Sequence, residues 1–216
     1  MTTVYDNIKY HYSDNIEFSE NIQCQVEEFV ILRVIAGTAK GHKLKTIKGL
    51  TTRPTSDKVK GAVFNILAAL IPGANVLDIY AGTGSLGIEA LSRGADSAVF
   101  VDKSSECFHT IKENLAHTKL ESKATVIAGD VFVALNKFSK NNKKFDIIFL
   151  DPPYGKGLVE KTLKNIAEND IIMQEGIIVA EHDVEDEVPE EVGGLERYRR
   201  QKYGDTVISF YRLKPV

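Results

Sequence analysis

The sequence predicts an α/β fold with a mostly parallel β-sheet that ends in an antiparallel hairpin. From residue 75 onward, short apolar runs alternate with stretches of helical periodicity, which is typical of parallel strands joined by crossover helices. A glycine-rich turn separates the first apolar run from the first helical stretch. Near the end of the chain, two strand-like runs flank Tyr203-Gly204-Asp205, which suits a tight turn. Together these observations favour a seven-stranded sheet.

The predicted elements of the sheet follow in order along the chain. Strands are expected at residues 76–80, 98–102, 124–128, 145–150 and 177–181, and helices between them at residues 85–93, 104–117, 131–138 and 157–168. The closing hairpin pairs residues 197–202 with residues 207–212. These elements make up one predicted domain, residues 74–216.

Two smaller regions precede this domain. Residues 1–30 are rich in Asn, Ser and acidic residues without sustained periodicity, which predicts a flexible acidic extension. Residues 31–73 are expected to form a basic hairpin, with strands at 31–36 and 42–47, and then a helix that ends before Pro72. The hairpin and helix lead directly into the main domain.

Composition excludes several classes of protein. With 43% hydrophobic and 26% charged residues among 216, the chain can bury a core and is not disordered throughout. Its longest apolar stretch, residues 61–71, is shorter than the roughly 18 residues that a membrane helix needs. No export or organelle signal is recognisable, so a cytoplasmic location is expected. Cys24 and Cys107 are too few for a disulfide framework and lack the spacing of a zinc site.

Charge is distributed unevenly, although the net charge is only −3. Between residues 33 and 60, eight Lys and Arg residues accompany a single acid, Asp57, and a second basic stretch covers residues 197–214. An acidic loop, residues 181–191, precedes the second stretch. Because clustered Lys and Arg residues bind phosphates, the sequence indicates a nucleic-acid partner, with a merely solvated surface as the simpler alternative.

A glycine loop (residues 82–87) follows the first predicted strand. Gly82, Gly84 and Gly87 fit the pattern G-x-G-x-x-G, in which glycines permit a sharp turn and a close approach of the backbone to a nucleotide. Asp102 ends the next strand, where its carboxylate could accept hydrogen bonds from both ribose hydroxyls. A nicotinamide dinucleotide would satisfy this pattern as well.

Asp78, just before the glycine loop, distinguishes a dinucleotide from a nucleoside ligand that has no phosphates. A carboxylate there would repel a pyrophosphate but suits a ligand with a cationic amino-acid end, and S-adenosyl-L-methionine is such a ligand. Asp130 follows the third strand and could accept from an adenine amino group. The predicted cofactor-binding residues are Asp78, Ala81, Gly82, Gly84, Asp102 and Asp130. The simpler alternative is that the three aspartates only cap helices.

The most specific signal is the Asp-Pro-Pro-Tyr motif (residues 151–154), directly after the fourth strand, where open α/β sheets bind their ligands. Two prolines stiffen the turn, so Asp151 and the Pro152 carbonyl could hold both N–H bonds of an exocyclic amino group on a base. Tyr154 could stack on that base. Asp151, Pro152 and Tyr154 are therefore the predicted catalytic residues, and no metal is required. An ordinary rigid turn is the alternative.

With these residues the chain resembles the bacterial RsmD family, class I methyltransferases that modify a guanine N2 amino group in 16S ribosomal RNA. The resemblance covers about residues 31–214. Its markers are Arg33-Val34-Ile35-Ala36-Gly37, Arg53-Pro54-Thr55-Ser56-Asp57, Phe64-Asn65-Ile66-Leu67, residues 77–94, the Asp-Pro-Pro-Tyr motif and Tyr203-Gly204-Asp205. The acidic extension before residue 32 departs from the family pattern.

The resemblance implies a Rossmann-like fold, S-adenosylmethionine as cofactor and 16S rRNA as partner, in our interpretation within a small-subunit assembly intermediate. It also implies that Asp78, Gly82, Gly84 and Asp102 contact the cofactor and that Asp151 and Tyr154 hold the guanine. The predicted substrate-binding residues are Arg33, Lys43, Lys45, Arg53 and Pro153. A monomer is expected. Two other functions fit the sequence: methylation of another amino group, such as adenine N6 or a glutamine amide, and non-catalytic RNA binding.

Overall fold

A computed structural model describes residues 32–47 and 57–215 of the chain. The predictions for residues 1–30 and for Arg53 therefore lie outside the described residues. Within the two described ranges, no helix is long and apolar enough to cross a membrane.

The helices and strands of the described chain follow the predicted alternation. The helices are α1 (Asp57–Ile66), α2 (Ser85–Ser92), α3 (Ser105–Thr118), α4 (Val131–Lys140) and α5 (Leu158–Glu168), with a 3-10 turn at Glu121–Lys123. The strands are β1 (Asn75–Ile79), β2 (Ser97–Asp102), β3 (Ala124–Ala128), β4 (Phe145–Leu150), β5 (Ile172–Asp183), β6 (Glu191–Val192), β7 (Leu195–Tyr203) and β8 (Thr206–Leu213).

The strands form one sheet in the order β3-β2-β1-β4-β5-β8-β7-β6. Strands β1 to β5 run parallel to one another, and β8 and β7 add the antiparallel pair. All seven predicted strands are present, and the two-residue β6, which the sequence did not indicate, makes an eighth. β5 begins at Ile172 rather than at residue 177, because Phe145 pairs with Ile172 ahead of a shift in register.

Each strand of the parallel sheet contributes to two separate cores, because successive side chains point to opposite faces. In β1, Val76 packs on the face covered by α1, α2 and α3, whereas Leu77 packs on the face covered by α4 and α5. Helices on both faces bury most of β1, β2 and β4, which explains their nearly continuous apolar runs, whereas the edge strand β3 stays partly exposed.

The register of the sheet aligns the ends of three parallel strands with Ala180 of a fourth. Ile79 pairs with Val101 and with Leu150, and Leu150 pairs with Ala180 of β5, which continues to Asp183. We call the line of Ala180 and the ends of β1, β2 and β4 the carboxyl edge of the sheet. Residues that follow these strands are consequently brought together, although they are far apart in the sequence.

The N-terminal segment (residues 32–47) is less regular than predicted. Instead of two full strands, it contains one antiparallel bridge, between Arg33 and Lys43. The intervening residues turn onto α2, where the amides of Ile35 and Ala36 donate to the Glu89 carboxylate at 2.7 and 3.0 Å. These amides cannot continue a strand ladder, which is why the predicted hairpin is so short.

Candidate active site

The glycine loop is a sharp turn between β1 and α2. Its geometry needs left-handed backbone at Gly82 and Gly84, whose φ angles are 54° and 78°. Gly87 serves close packing instead, since a Cβ there would lie 2.3 Å from the Phe100 ring. The amides at the start of α2 consequently face the carboxyl edge.

Asp78 is almost completely buried beneath this loop, with 2% of its surface exposed. Its Oδ2 accepts a hydrogen bond from the Gly87 amide at 2.9 Å. Burial raises the pKa of Asp78 to about 7, and the nearby Asp102 adds to the rise, while the hydrogen bond from Gly87 opposes it. A buried carboxyl with this pKa is stabilised in its charged form by a cation placed beside it.

Asp102 is held in a fixed orientation at the end of β2. Its Oδ2 accepts from the Gly82 amide and its Oδ1 accepts from the Ser104 amide, both at 2.9 Å. The carboxylate therefore ties the glycine loop to the start of α3. Each oxygen keeps lone-pair capacity for a further donor such as a hydroxyl.

Asp130 and Ala81 have structural contacts of their own. Asp130 caps α4, because its Oδ1 accepts from the amides of Phe132 and Val133 at 2.9 and 3.1 Å. The Ala81 amide donates to the Val101 carbonyl at 3.2 Å. Helix capping thus accounts for the Oδ1 atom of Asp130. The roles of Asp130 and Ala81 in cofactor binding stay predictions.

The Asp-Pro-Pro-Tyr motif begins where β4 ends and lies at the same edge. The pKa of Asp151 is well above its usual range, first because its carboxyl is buried and then because Glu181 and Asp78 are close. Pro152 is buried and Pro153 is exposed. Asp78 therefore lies close to both Asp102 and Asp151, and the roles of these three carboxylates in binding stay predictions.

Glu181 is a residue of this site that the sequence reasoning missed. The prediction placed Glu181 both at the end of the strand 177–181 and at the start of the acidic loop 181–191, and the structure confirms the strand, since Glu181 lies within β5 and is 4% exposed. Its Oε1 accepts a hydrogen bond from the Tyr154 hydroxyl at 3.2 Å. A signal was present, because an acidic residue at the end of a predicted apolar strand faces the same edge as Asp151.

Comparisons with known proteins bear on the family and the fold of this chain. A family model described as "Conserved hypothetical protein 95" matches residues 32–212. YlbH of Bacillus subtilis, provisionally named an rRNA methyltransferase, is 43% identical over 85% of this chain and 100% of its own length. The ribosomal RNA small subunit methyltransferase D of Escherichia coli is 31% identical over 84% of this chain and 89% of its own length.

The chain belongs to the RsmD family. The solved structure of the Escherichia coli protein yhhF, provisionally described as a methyltransferase, has a TM-score of 0.73 and 32% identity, and covers 84% of this chain and 97% of its own. The predicted membership and the Rossmann-like methyltransferase fold are thereby confirmed, and the protein is a methyltransferase.

In this RsmD family member, the predicted substrate-binding cations have different surroundings. Lys43 is exposed, whereas Arg33 and Lys45 make exposed ion pairs with Asp57 and Glu113 at 2.7 and 2.6 Å. Such exposed pairs are worth less than about 1 kcal/mol, so both side chains can exchange their partner for a phosphate. Whether these cations bind the substrate remains a prediction.

Lys60 differs from the other cations of the basic stretch because it is fully buried. Its Nζ donates to the Arg33 carbonyl at 2.6 Å and lies 3.6 Å from Glu89. Desolvation lowers the pKa of Lys60, while Glu89 and Asp57 oppose that change. Lys60 therefore holds the N-terminal segment in place and does not add to the basic surface.

Asn114 connects the N-terminal segment to the glycine loop, a role that no sequence pattern indicates. Its Oδ1 accepts from the Lys45 amide at 2.7 Å, and its Nδ2 donates to the Thr83 carbonyl at 2.9 Å. Lys45 is thereby fixed close to the loop that the cofactor prediction concerns. The basic segment and the carboxylate cluster thus lie side by side.

Proposed function

We propose that the protein transfers a methyl group to the exocyclic N2 amino group of a guanine in 16S rRNA. The observation that carries this proposal is the Asp-Pro-Pro-Tyr motif at the carboxyl edge, next to the carboxyl of Asp78 in β1 and close to Asp102 at the end of β2. The name of the Escherichia coli relative, a small-subunit rRNA methyltransferase, supports the substrate class.

The methyl donor is S-adenosyl-L-methionine, which supplies a methyl group activated on a positively charged sulfur. The residues present suit such a group. Buried carboxyls with raised pKa values at Asp78 and Asp151 favour a cationic ligand, and Asp102 offers oriented oxygens to hydroxyls. We expect Asp78 to bind the amino-acid end, and the backbone at Gly82 and Gly84 to line the bound cofactor.

The motif residues orient the amine that accepts the methyl group. A guanine amino group is a weak nucleophile because its lone pair is delocalised into the ring. The Asp151 carboxylate and the Pro152 carbonyl would each accept one N–H bond, which directs the nitrogen lone pair toward the donor and disperses the positive charge that develops on nitrogen. Alignment of this kind is worth up to roughly 7 to 11 kcal/mol in well-oriented systems.

The target base must be accessible for this geometry. An amino group inside a duplex is paired, so the guanine has to lie in a loop or be flipped from its stack. Tyr154 would then stack on it, and Arg33, Lys43 and Lys45 would bind flanking phosphates. We infer that the substrate is an assembly intermediate of the small subunit in the cytoplasm, and that the enzyme acts as a monomer.

Methylation with labelled S-adenosylmethionine tests the proposal. The substrates are 16S rRNA and small subunits from a strain that lacks this gene, followed by nucleoside identification. We expect N2-methylguanine, and an Asp151→Ala protein that has lost at least about a hundredfold in rate. Asp170→Ala, which removes an exposed carboxylate paired with Lys144, is the matched control and should keep its rate. Label in N6-methyladenine instead, or equal rates for Asp151→Ala and the parent, would contradict the proposal.

A further inference from the structure

Glu181 lies on β5 directly beside Asp151, the first residue of the Asp-Pro-Pro-Tyr motif. Leu150 pairs with Ala180, so the residues that follow them, Asp151 and Glu181, lie side by side on β4 and β5 at the carboxyl edge. On its other side, Glu181 pairs with Ile208 of β8. The side chain is 4% exposed, so its carboxyl lies within the site rather than in solvent.

The Tyr154 hydroxyl is attached to the sheet through Glu181, since it donates to Glu181 Oε1 at 3.2 Å. A tyrosine on a loop otherwise keeps rotamer freedom, which a stacking platform loses when a base binds. A hydrogen bond at the hydroxyl end removes part of that freedom before binding.

We propose that Glu181 is a positioning residue, which orients the Tyr154 ring for the incoming base through this hydrogen bond and acts on Asp151 through its charge. The inference rests on the proposed function and deepens it, since it assigns a role in substrate binding to a residue outside the motif. Glu181 does not itself have to touch the base or the cofactor.

A purely structural role explains Glu181 less well. Placing a second carboxyl next to Asp151 in a buried region destabilises the fold, and a neutral acceptor would satisfy the Tyr154 hydroxyl at lower cost. Burial and the charges of Glu181 and Asp151 raise the pKa of Tyr154, so its hydroxyl stays protonated and remains a donor. The arrangement therefore costs stability and fixes the geometry of the loop.

A double-mutant cycle measures the coupling between the two residues. Glu181→Ala and Tyr154→Phe should each raise the KM for rRNA by about threefold to tenfold, the size of one hydrogen bond, without changing the Kd for S-adenosylhomocysteine. The KM of the double variant for rRNA should be no higher than that of the more affected single variant. Glu175→Ala, at the exposed opposite end of β5, is the control and should match the parent. Additive losses would overturn the proposal.

Glu181→Gln keeps the test decisive if the alanine variant does not fold. Asp151 faces Glu181, Asp78 and Tyr154, and both carboxyls raise its pKa. The glutamine removes one charge but retains an acceptor, so the acid limb of kcat/KM should move to lower pH. An unmoved acid limb together with an unchanged KM for rRNA would overturn the proposal.

Nuclear magnetic resonance of ring-labelled tyrosine supplies a reading that needs no RNA. The Tyr154 signals, assigned through Tyr154→Phe, should change to those of a mobile ring in Glu181→Ala, but not in Glu181→Gln, which retains an acceptor, nor in Glu175→Ala. Unchanged signals would contradict the positioning role. A parent enzyme that fails to methylate guanine would contradict only the proposed function, so the two failures can be distinguished.

Discussion

At the scale of single residues, the buried carboxyl of Asp78 lowers the stability of the folded protein when it is ionised. Its side chain is buried and accepts one amide hydrogen bond, and its pKa is raised to about 7. The unfolded chain has the lower, ordinary pKa, so between the two values the folded protein holds more protons. The free energy of unfolding consequently falls as the pH rises from about 4 through 7.

Replacing Asp78 with asparagine should remove this dependence, because the amide has a similar shape, can accept from Gly87 and carries no charge. At pH 8 we expect the variant to be more stable than the parent by up to about 4 kcal/mol, and the difference should vanish below about pH 3, where the carboxyl is protonated in both states. Thermal unfolding across this pH range gives the comparison.

The same variant should lose affinity for S-adenosylmethionine by at least tenfold, measured by calorimetry, since the neutral amide no longer pairs with an ammonium group. Asp146→Asn, on the same sheet but at the start of β4, is the control for cofactor binding. An Asp78→Asn protein that binds the cofactor normally would show that this carboxylate does not contact it.

At the scale of elements, one buried acid is a main anchor of the N-terminal segment. Glu89 on α2 accepts from the amides of Ile35 and Ala36, and it pairs with Lys60 on α1 and Arg93. A buried charge is tolerated only where partners compensate for its lost hydration. Glu89 therefore fastens both α1 and the segment to α2, in addition to the hydrogen bonds that Ser92 and Asn114 make with the segment.

Glu89→Ala should destabilise the protein by about 3 to 5 kcal/mol, because it leaves Lys60 buried without its partner. Chemical denaturation measures this loss, and hydrogen exchange should show faster exchange at Ile35 and Ala36. Glu113→Ala, which breaks the exposed pair with Lys45, should cost less than about 1 kcal/mol. Equal losses in the two variants would show that Glu89 does not fasten the segment.

At the scale of the whole molecule, the distribution of charge matters more than its sum. The net charge is −3, yet Lys43 and Lys45 lie on a segment tied to the glycine loop by Asn114. A local basic surface attracts a polyanion even when the whole protein is acidic, and the strength of the attraction depends on salt.

Reversing both lysines, Lys43→Glu with Lys45→Glu, should weaken rRNA binding and reduce the slope of log K against log salt by about 1 for each lysine, with cofactor affinity unchanged. Filter binding over a range of salt concentrations measures the slope. Lys140→Glu with Lys144→Glu, near the opposite edge of the sheet, should leave the slope unchanged. A slope that matches the parent would remove the N-terminal segment from the interface.

Local patterns were sufficient to predict much of this molecule. Apolar runs predicted the positions of all seven main strands of the sheet. The glycine loop and the Asp-Pro-Pro-Tyr motif could be recognised because their chemistry depends on consecutive residues. The sequence did not predict the two-residue β6 or the early start of β5, because these strands are defined by pairing with a neighbouring strand and not by the β-propensity of their residues.

What the sequence determined by itself is the fold class, the family and the residues of the motif. Only the tertiary structure decided which charges are buried and which partners they have. In the sequence Lys60 looks like one more cation of the basic stretch and Glu181 like the first acid of an acidic loop, but Lys60 fastens the N-terminal segment and Glu181 holds Tyr154. The reason is physical: periodicity is a local property, whereas desolvation and pairing depend on residues that only the folded sheet brings together.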